Sequence, residues 1–98
     1  MNVAFRSRRL ERAYREHNEA VRLWGVVVGR RYVERVQALE RQAVSVSDLY
    51  ASRALDFHPL TGNRTGQHAL RLTGQMRLVV TVTGEQSVIV EEVVDYHG

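Results

Sequence analysis

The apolar positions of this chain change period once, and that change divides it. Val3 and Phe5 alternate with their neighbours, which predicts a short first strand. Ser7 then offers an N-cap. Leu10, Ala13, Tyr14, His17, Val21 and Trp24 follow the i, i+3, i+4, i+7 spacing of one helix face. Arg8, Arg9, Glu11, Arg12, Arg15, Glu16 and Glu19 fall on the other face. Gly25 breaks the pattern, as glycine does past the end of a helix. The spacing resumes with Tyr32, Val36, Leu39 and Ala43, and Arg31, Glu34, Arg35, Glu40 and Arg41 cover the polar side. Two antiparallel helices joined at Gly25 are predicted. His17, on the apolar stripe, reads as a packed core histidine.

Ser45-Val46-Ser47-Asp48-Leu49-Tyr50 reads as a capped short turn of helix or a loop. After it the period shortens to two. Residues 69–72, 77–82 and 88–94 are rich in β-branched residues, and Thr73-Gly74-Gln75 and Thr83-Gly84-Glu85 between them suit hairpin turns. The predicted fold class is α+β: an N-terminal strand, a two-helix hairpin, then a three-stranded antiparallel sheet with the helices on one face. No repeat, linker or low-complexity tract interrupts residues 1–98, which predicts a single domain.

Composition narrows the function classes. The 98 residues are 44% hydrophobic, as in a globular chain, and lack cysteine, which excludes disulfides and thiolate zinc sites. No apolar run is long enough to cross a bilayer, and Met1 to Arg6 lacks the apolar stretch of a signal peptide. A cytoplasmic protein without membrane attachment is expected. The net charge is +3, and all 14 basic residues are arginine. Guanidinium groups bind phosphate in bidentate fashion, so the composition suits a polyanion. A coding bias toward arginine produces the same composition, so position must decide which arginines matter.

Asp95-Tyr96-His97, directly after the last apolar run, is the leading candidate for chemistry. A carboxylate, a phenol and an imidazole are unnecessary for closing a strand. On an extended strand Asp95 and His97 point to one face and Tyr96 to the other. His58 is the second imidazole that could act with this end of the chain, while His68 reads equally as a strand-surface or a functional residue. Gly62 and Gly66 flank Asn63-Arg64-Thr65 in a loop whose backbone could approach a phosphate, by itself a weak signal. No ligand-spaced motif supports a metal site at His58, Asp95 and His97. No cofactor is expected.

The segment Phe57-His58-Pro59-Leu60-Thr61-Gly62-Asn63-Arg64-Thr65-Gly66-Gln67-His68-Ala69-Leu70, followed by Leu72-Thr73-Gly74, Arg77-Leu78 and the closing Asp95-Tyr96-His97, resembles the HigB-type toxins of the RelE/ParE superfamily. These are also called plasmid maintenance killer proteins. The resemblance is specific over residues 57–97 and consistent in layout over residues 1–56. It implies the toxin of a type II toxin–antitoxin pair, an endoribonuclease (mRNA interferase) that enters the ribosomal A site and cuts mRNA without a metal, inhibiting translation. By the same resemblance His58, Arg77, Asp95, Tyr96 and His97 are the expected catalytic residues. The implied partners are the ribosome, mRNA and a cognate helix-turn-helix antitoxin through which operator DNA is contacted. Thr61 and Thr65 stand where the family often has lysine, and Met76 where it often has an aromatic residue.

The residue types suit that chemistry. Cleavage by the RNA's own 2′-hydroxyl needs a base there, an acid at the 5′-oxygen and positive charge at the phosphorane. Imidazoles, with a reference pKa of about 6.5, suit the first two roles. His97 and His58 are the expected pair, with Asp95 orienting an imidazole. Arg77 is expected to stabilise the transition state, Arg64 and Arg71 to contact phosphate, and Tyr96 to stack on a base or bond a phosphate oxygen. Two other outcomes stay open: a ParE-like inhibitor of DNA gyrase that hydrolyses nothing, and an inactive homologue that only binds antitoxin.

Overall fold

The computed structural model describes residues 1–95; Tyr96 and His97 of the expected site lie outside the described residues. Strand β1 (Asn2–Phe5) leads into helix α1 (Arg8–Arg15), which Ser7 caps by accepting the Leu10 N–H at 3.2 Å. The apolar stripe does not run unbroken to Trp24 as predicted. Glu16 is already extended and Asn18 is left-handed (φ 66°), a conformation asparagine tolerates. His17 falls in this break and is exposed, which corrects its assignment to the core: the helix that would have turned it inward has ended.

Helix α2 (Glu19–Gln37) reverses at Gly25, whose φ of 85° and ψ of 172° are not helical. In a straight helix residues 20 and 29 would lie about 13 Å apart. Here a Cβ added to Gly29 would sit 2.6 Å from the Val21 nitrogen and 2.7 Å from the Ala20 carbonyl. The two arms touch backbone to backbone, as the predicted hairpin requires. Tyr32, fully buried in the second arm, donates to the Leu10 carbonyl at 2.6 Å, and burial holds its phenol well above the usual pKa. One π-helical turn, Ala38–Gln42, ends this arm, and the Met1 ammonium donates to the Leu39, Glu40 and Ala43 carbonyls there. Helix α3 (Val46–Tyr50) is the capped turn expected: the Asp48 carboxylate accepts from the Val44 and Ser45 N–H groups at 2.9 and 3.0 Å.

The sheet has five strands rather than three. β2 (His58–Pro59), β3 (Gln67–Arg71), β4 (Met76–Gly84) and β5 (Ser87–Asp95) join β1 in the order β1-β5-β4-β3-β2. β1 lies parallel to β5 at one edge, and the other pairings are antiparallel. The parallel pairing depends on the whole helical crossover, and β2 is too short and proline-bearing for a period-two signal. Leu70, Leu78, Val80, Val88 and Val90 face the helices and join Leu10, Tyr32, Val36, Leu39 and Leu49 in one core. Among the described residues no helix lies on the other face of the sheet.

Candidate functional site

Strand register assigns the expected site residues to faces, because residues paired across a ladder point to the same side. His58 pairs with Ala69, Ala69 with Val79, and Val79 with Glu92; Arg71 pairs with Arg77. None of these belongs to the core beneath the helices. His58, Arg71 and Arg77 therefore share the uncovered face. Arg64, on a 3-10 turn (Gly62–Arg64), joins them through an ion pair with Glu92 and a 2.9 Å bond from its Nε to Gln67 Oε1. Asp95 pairs with Met76, which packs against the core, so its register position lies on the opposite side at the exposed end of β5.

A β-bulge sets the charge of this face. Val79 pairs with Glu92 but the next residue, Val80, pairs with Val90, which leaves Glu91 as the extra residue. Glu91 and Glu92 consequently both turn outward. Arg6 donates to Glu91 through Nε and Nη2 at 2.9 Å each, and Thr81 Oγ1 donates to the same carboxylate. The Arg6 hydrogen bond, helped by that from Thr81, holds the Glu91 carboxyl below the usual range against the opposing effect of burial.

Arg77 is the most buried charged side chain on this face, only 6% exposed. Its Nη1 donates to the carbonyls of Thr73, Met76 and Gly74 at 2.6, 3.1 and 3.4 Å, so the guanidinium also holds the β3–β4 turn. His58, partly exposed, donates from Nδ1 to the Asp56 carbonyl at 2.7 Å. The Asp56 carboxylate lies 3.9 Å from that nitrogen and 3.7 Å from Arg71 Nη2. Nothing in the sequence pattern singles out Asp56. The acidic pair Glu91-Glu92 inside an otherwise apolar run is the readable sign of the bulge.

His68 faces the other way, toward the helices, since it pairs with Val80. Its ring stacks on Phe57 with centroids 4.6 Å apart, and its Nε2 lies 2.9 Å from the Tyr50 hydroxyl. Burial, with a smaller push from His58, lowers its pKa and favours the neutral ring. This places it in the packing of α3 on the sheet, away from the shared face. Among the described residues no three His, Asp or Glu side chains group as metal ligands, and no helix is long and apolar enough to cross a membrane.

The fold matches solved structures across nearly its whole length. A YoeB/ParE toxin from Agrobacterium tumefaciens superimposes with a TM-score of 0.62 at 20% identity, over 99% of this chain and 100% of that one. The YoeB-YefM complex from Staphylococcus aureus gives 0.60 at 18%, over 100% and 98%. YafQ from E. coli strain BL21(DE3) gives 0.65 at 10%, over 96% and 91%. No protein-family model matches the sequence, and no curated protein matches it. The likeness is therefore one of fold: this chain has the α+β architecture found in a YoeB/ParE toxin, in YoeB and in YafQ.

Proposed function

We propose that this protein is the HigB-type toxin of a type II toxin–antitoxin pair and a ribosome-dependent mRNA endoribonuclease acting in the cytoplasm. The observation that carries the reading is the convergence of His58, Arg64, Arg71 and Arg77 on the one face of the sheet that no helix covers. An extended strand of RNA laid across that face meets an imidazole and the exposed guanidinium groups of Arg64 and Arg71, with the nearly buried Arg77 set into the same face. His58 and His97 act as the acid–base pair on the 2′-hydroxyl and the 5′-oxygen. Asp95, whose register position lies on the opposite side of the sheet from His58, is left the orienting of His97 alone, and Tyr96 stacks on a base or bonds a phosphate oxygen. Arg77 faces the phosphorane, and its bonds to the turn carbonyls keep it preorganised for that charge. Arg64 and Arg71 bind flanking phosphates.

A cognate antitoxin is the second part of the proposal, supported by a structural neighbour that is itself a YoeB-YefM complex. A helix-turn-helix antitoxin would bind this chain and carry the pair to operator DNA. One neighbour bears the ParE name, which keeps gyrase inhibition as the competing reading. An inactive homologue that only binds antitoxin is the third. Primer extension on ribosome-bound mRNA separates them. Wild-type protein should cut, and His97→Ala or Arg77→Ala should each slow cutting roughly 10²- to 10³-fold, scored on folded protein because Arg77 also holds its turn. Unchanged rates in both variants would sink the assignment. Trapped DNA cleavage complexes with intact mRNA would favour gyrase inhibition, and normal growth on induction the inactive homologue.

A further inference from the structure

Asp56 has a left-handed backbone (φ 47°), one of two non-glycine residues with positive φ among the described residues. The other, Asn18, serves a helix break. Asp56 serves His58. Its carbonyl oxygen lies 2.7 Å from His58 Nδ1, two residues later in the chain. A carbonyl can only accept, so Nδ1 carries the proton, and in the neutral ring the lone pair belongs to Nε2. The direction of a carbonyl follows from the backbone torsions of its residue, so the left-handed turn is what aims this one at the imidazole. Left-handed backbone in a non-glycine residue is costly and persists where the surroundings enforce it, often beside functional groups. The same residue's carboxylate reaches toward Arg71 at 3.7 Å, across the edge of the face that carries Arg77.

We propose that Asp56 is a positioning residue: its left-handed backbone, more than its charge, fixes the His58 ring in the tautomer that presents Nε2 to the substrate. Orienting an imidazole is also the role expected of Asp95, whose register position lies on the other side of the sheet. The inference rests on the reading of His58 as an acid–base group. It adds a residue that no motif of the chain marks, and a mechanism carried by a main-chain oxygen.

The test is a substitution series ranked by tolerance of left-handed backbone: Asp56→Gly and Asp56→Asn tolerate it, Asp56→Ala and Asp56→Glu do so poorly, and Asp56→Val least. Two readouts are taken on each folded variant, the His58 tautomer by ¹H–¹⁵N correlation NMR of the imidazole and the rate of cleavage of ribosome-bound mRNA. The wild type, Gly and Asn variants should show the Nδ1–H form and rates within a few-fold of one another. The Ala, Glu and Val variants should lose that form progressively, with the rate falling by about tenfold or more at the end of the series, in keeping with the cost of a misassigned histidine tautomer. If Asp56→Val does not fold, Asp56→Glu carries the comparison, because it keeps the charge and loses the tolerance. A ranking by charge, with Glu like wild type and Asn impaired, would overturn the proposal, as would an Nε2–H ring in the wild type. Should no variant or wild type cleave while the tautomer follows the predicted ranking, the positioning by Asp56 stands and the ribonuclease reading fails.

Discussion

Val79 and Val80 are consecutive, both shielded from solvent, and set among opposite chemistries. Val80 pairs with His68 and Val90 on the face beneath the helices, where it joins Leu70, Leu78 and Tyr32 in an apolar core. Val79 pairs with Ala69 and Glu92 on the face that carries no helix, and Glu92 is ion-paired with Arg64. One side of the strand is closed by side chains that water cannot rejoin. On the other, the side chains sharing the face with Val79 include the Arg64–Glu92 ion pair, Glu91 bonded to Arg6, and Arg77. The two valines are buried alike and held differently. A layer of paired charges can exchange partners, and on the proposed function it does so when RNA phosphates compete with Glu91, Glu92 and Asp56 for Arg6, Arg64 and Arg71.

The largest difference between the faces is expected at these two valines. Val80→Ala should lower the unfolding free energy by about 2 kcal/mol or somewhat more, through lost transfer energy and a cavity that a packed core fills poorly. Val79→Ala should cost roughly half as much, because its flexible charged cover can settle into the space. Urea denaturation of both variants measures the difference. Equal losses would show that the open face is as rigidly packed as the covered one.

A smaller effect is expected from the charged cover itself. A double-mutant cycle on Arg64→Ala and Glu92→Ala should give a coupling of only about 0–1 kcal/mol, since both side chains remain more than a third exposed and screened by water. Arg64→Ala should nevertheless weaken RNA-dependent activity, with the loss greatest at low salt. A coupling of several kcal/mol would make the pair a structural element in its own right and would count against easy exchange with phosphate.

The covered face was the more legible of the two. Burial there imposes a period on the sequence, so the helical stripe from Leu10, the second stripe from Tyr32 and four of the five strands could be placed from apolar spacing alone. The reversal at Gly25 was readable because glycine marks backbone that other residues avoid. The break at Glu16–Asn18 left no such mark, and His17 was consequently misplaced. The parallel partnership of β1 with β5 is a contact across more than eighty residues, beyond what local pattern can encode. On the open face Arg71 and Arg77 could be named singly, but their pairing follows from the strand register. The orientation of a carbonyl at Asp56 depends on the sign of one torsion, and no residue type announces it.

The smallest effect separates the faces by pH. His68 lies on the covered face with its pKa lowered chiefly by burial, so its neutral form is favoured by folding. The unfolded chain binds the proton more readily, near pH 6.5, and the stability this confers is lost as pH falls from there toward the lower folded value. Glu91 lies on the open face with its pKa lowered chiefly by the Arg6 hydrogen bond. Its contribution is intact above the unfolded value of about 4.3 and is lost as pH falls further, through the depressed folded pKa. Stability should thus decline in two stages on acidification, the first belonging to the helix side of the sheet and the second to the open side. His68→Phe, which preserves the stack on Phe57, should flatten the upper stage alone, and Glu91→Gln the lower stage alone. Urea midpoints taken at intervals between pH 7.5 and pH 3 read both slopes. If either substitution flattened both stages, the two faces would be electrostatically coupled through the sheet, and an anion arriving at the open face would be felt by the packing of α3 beneath it.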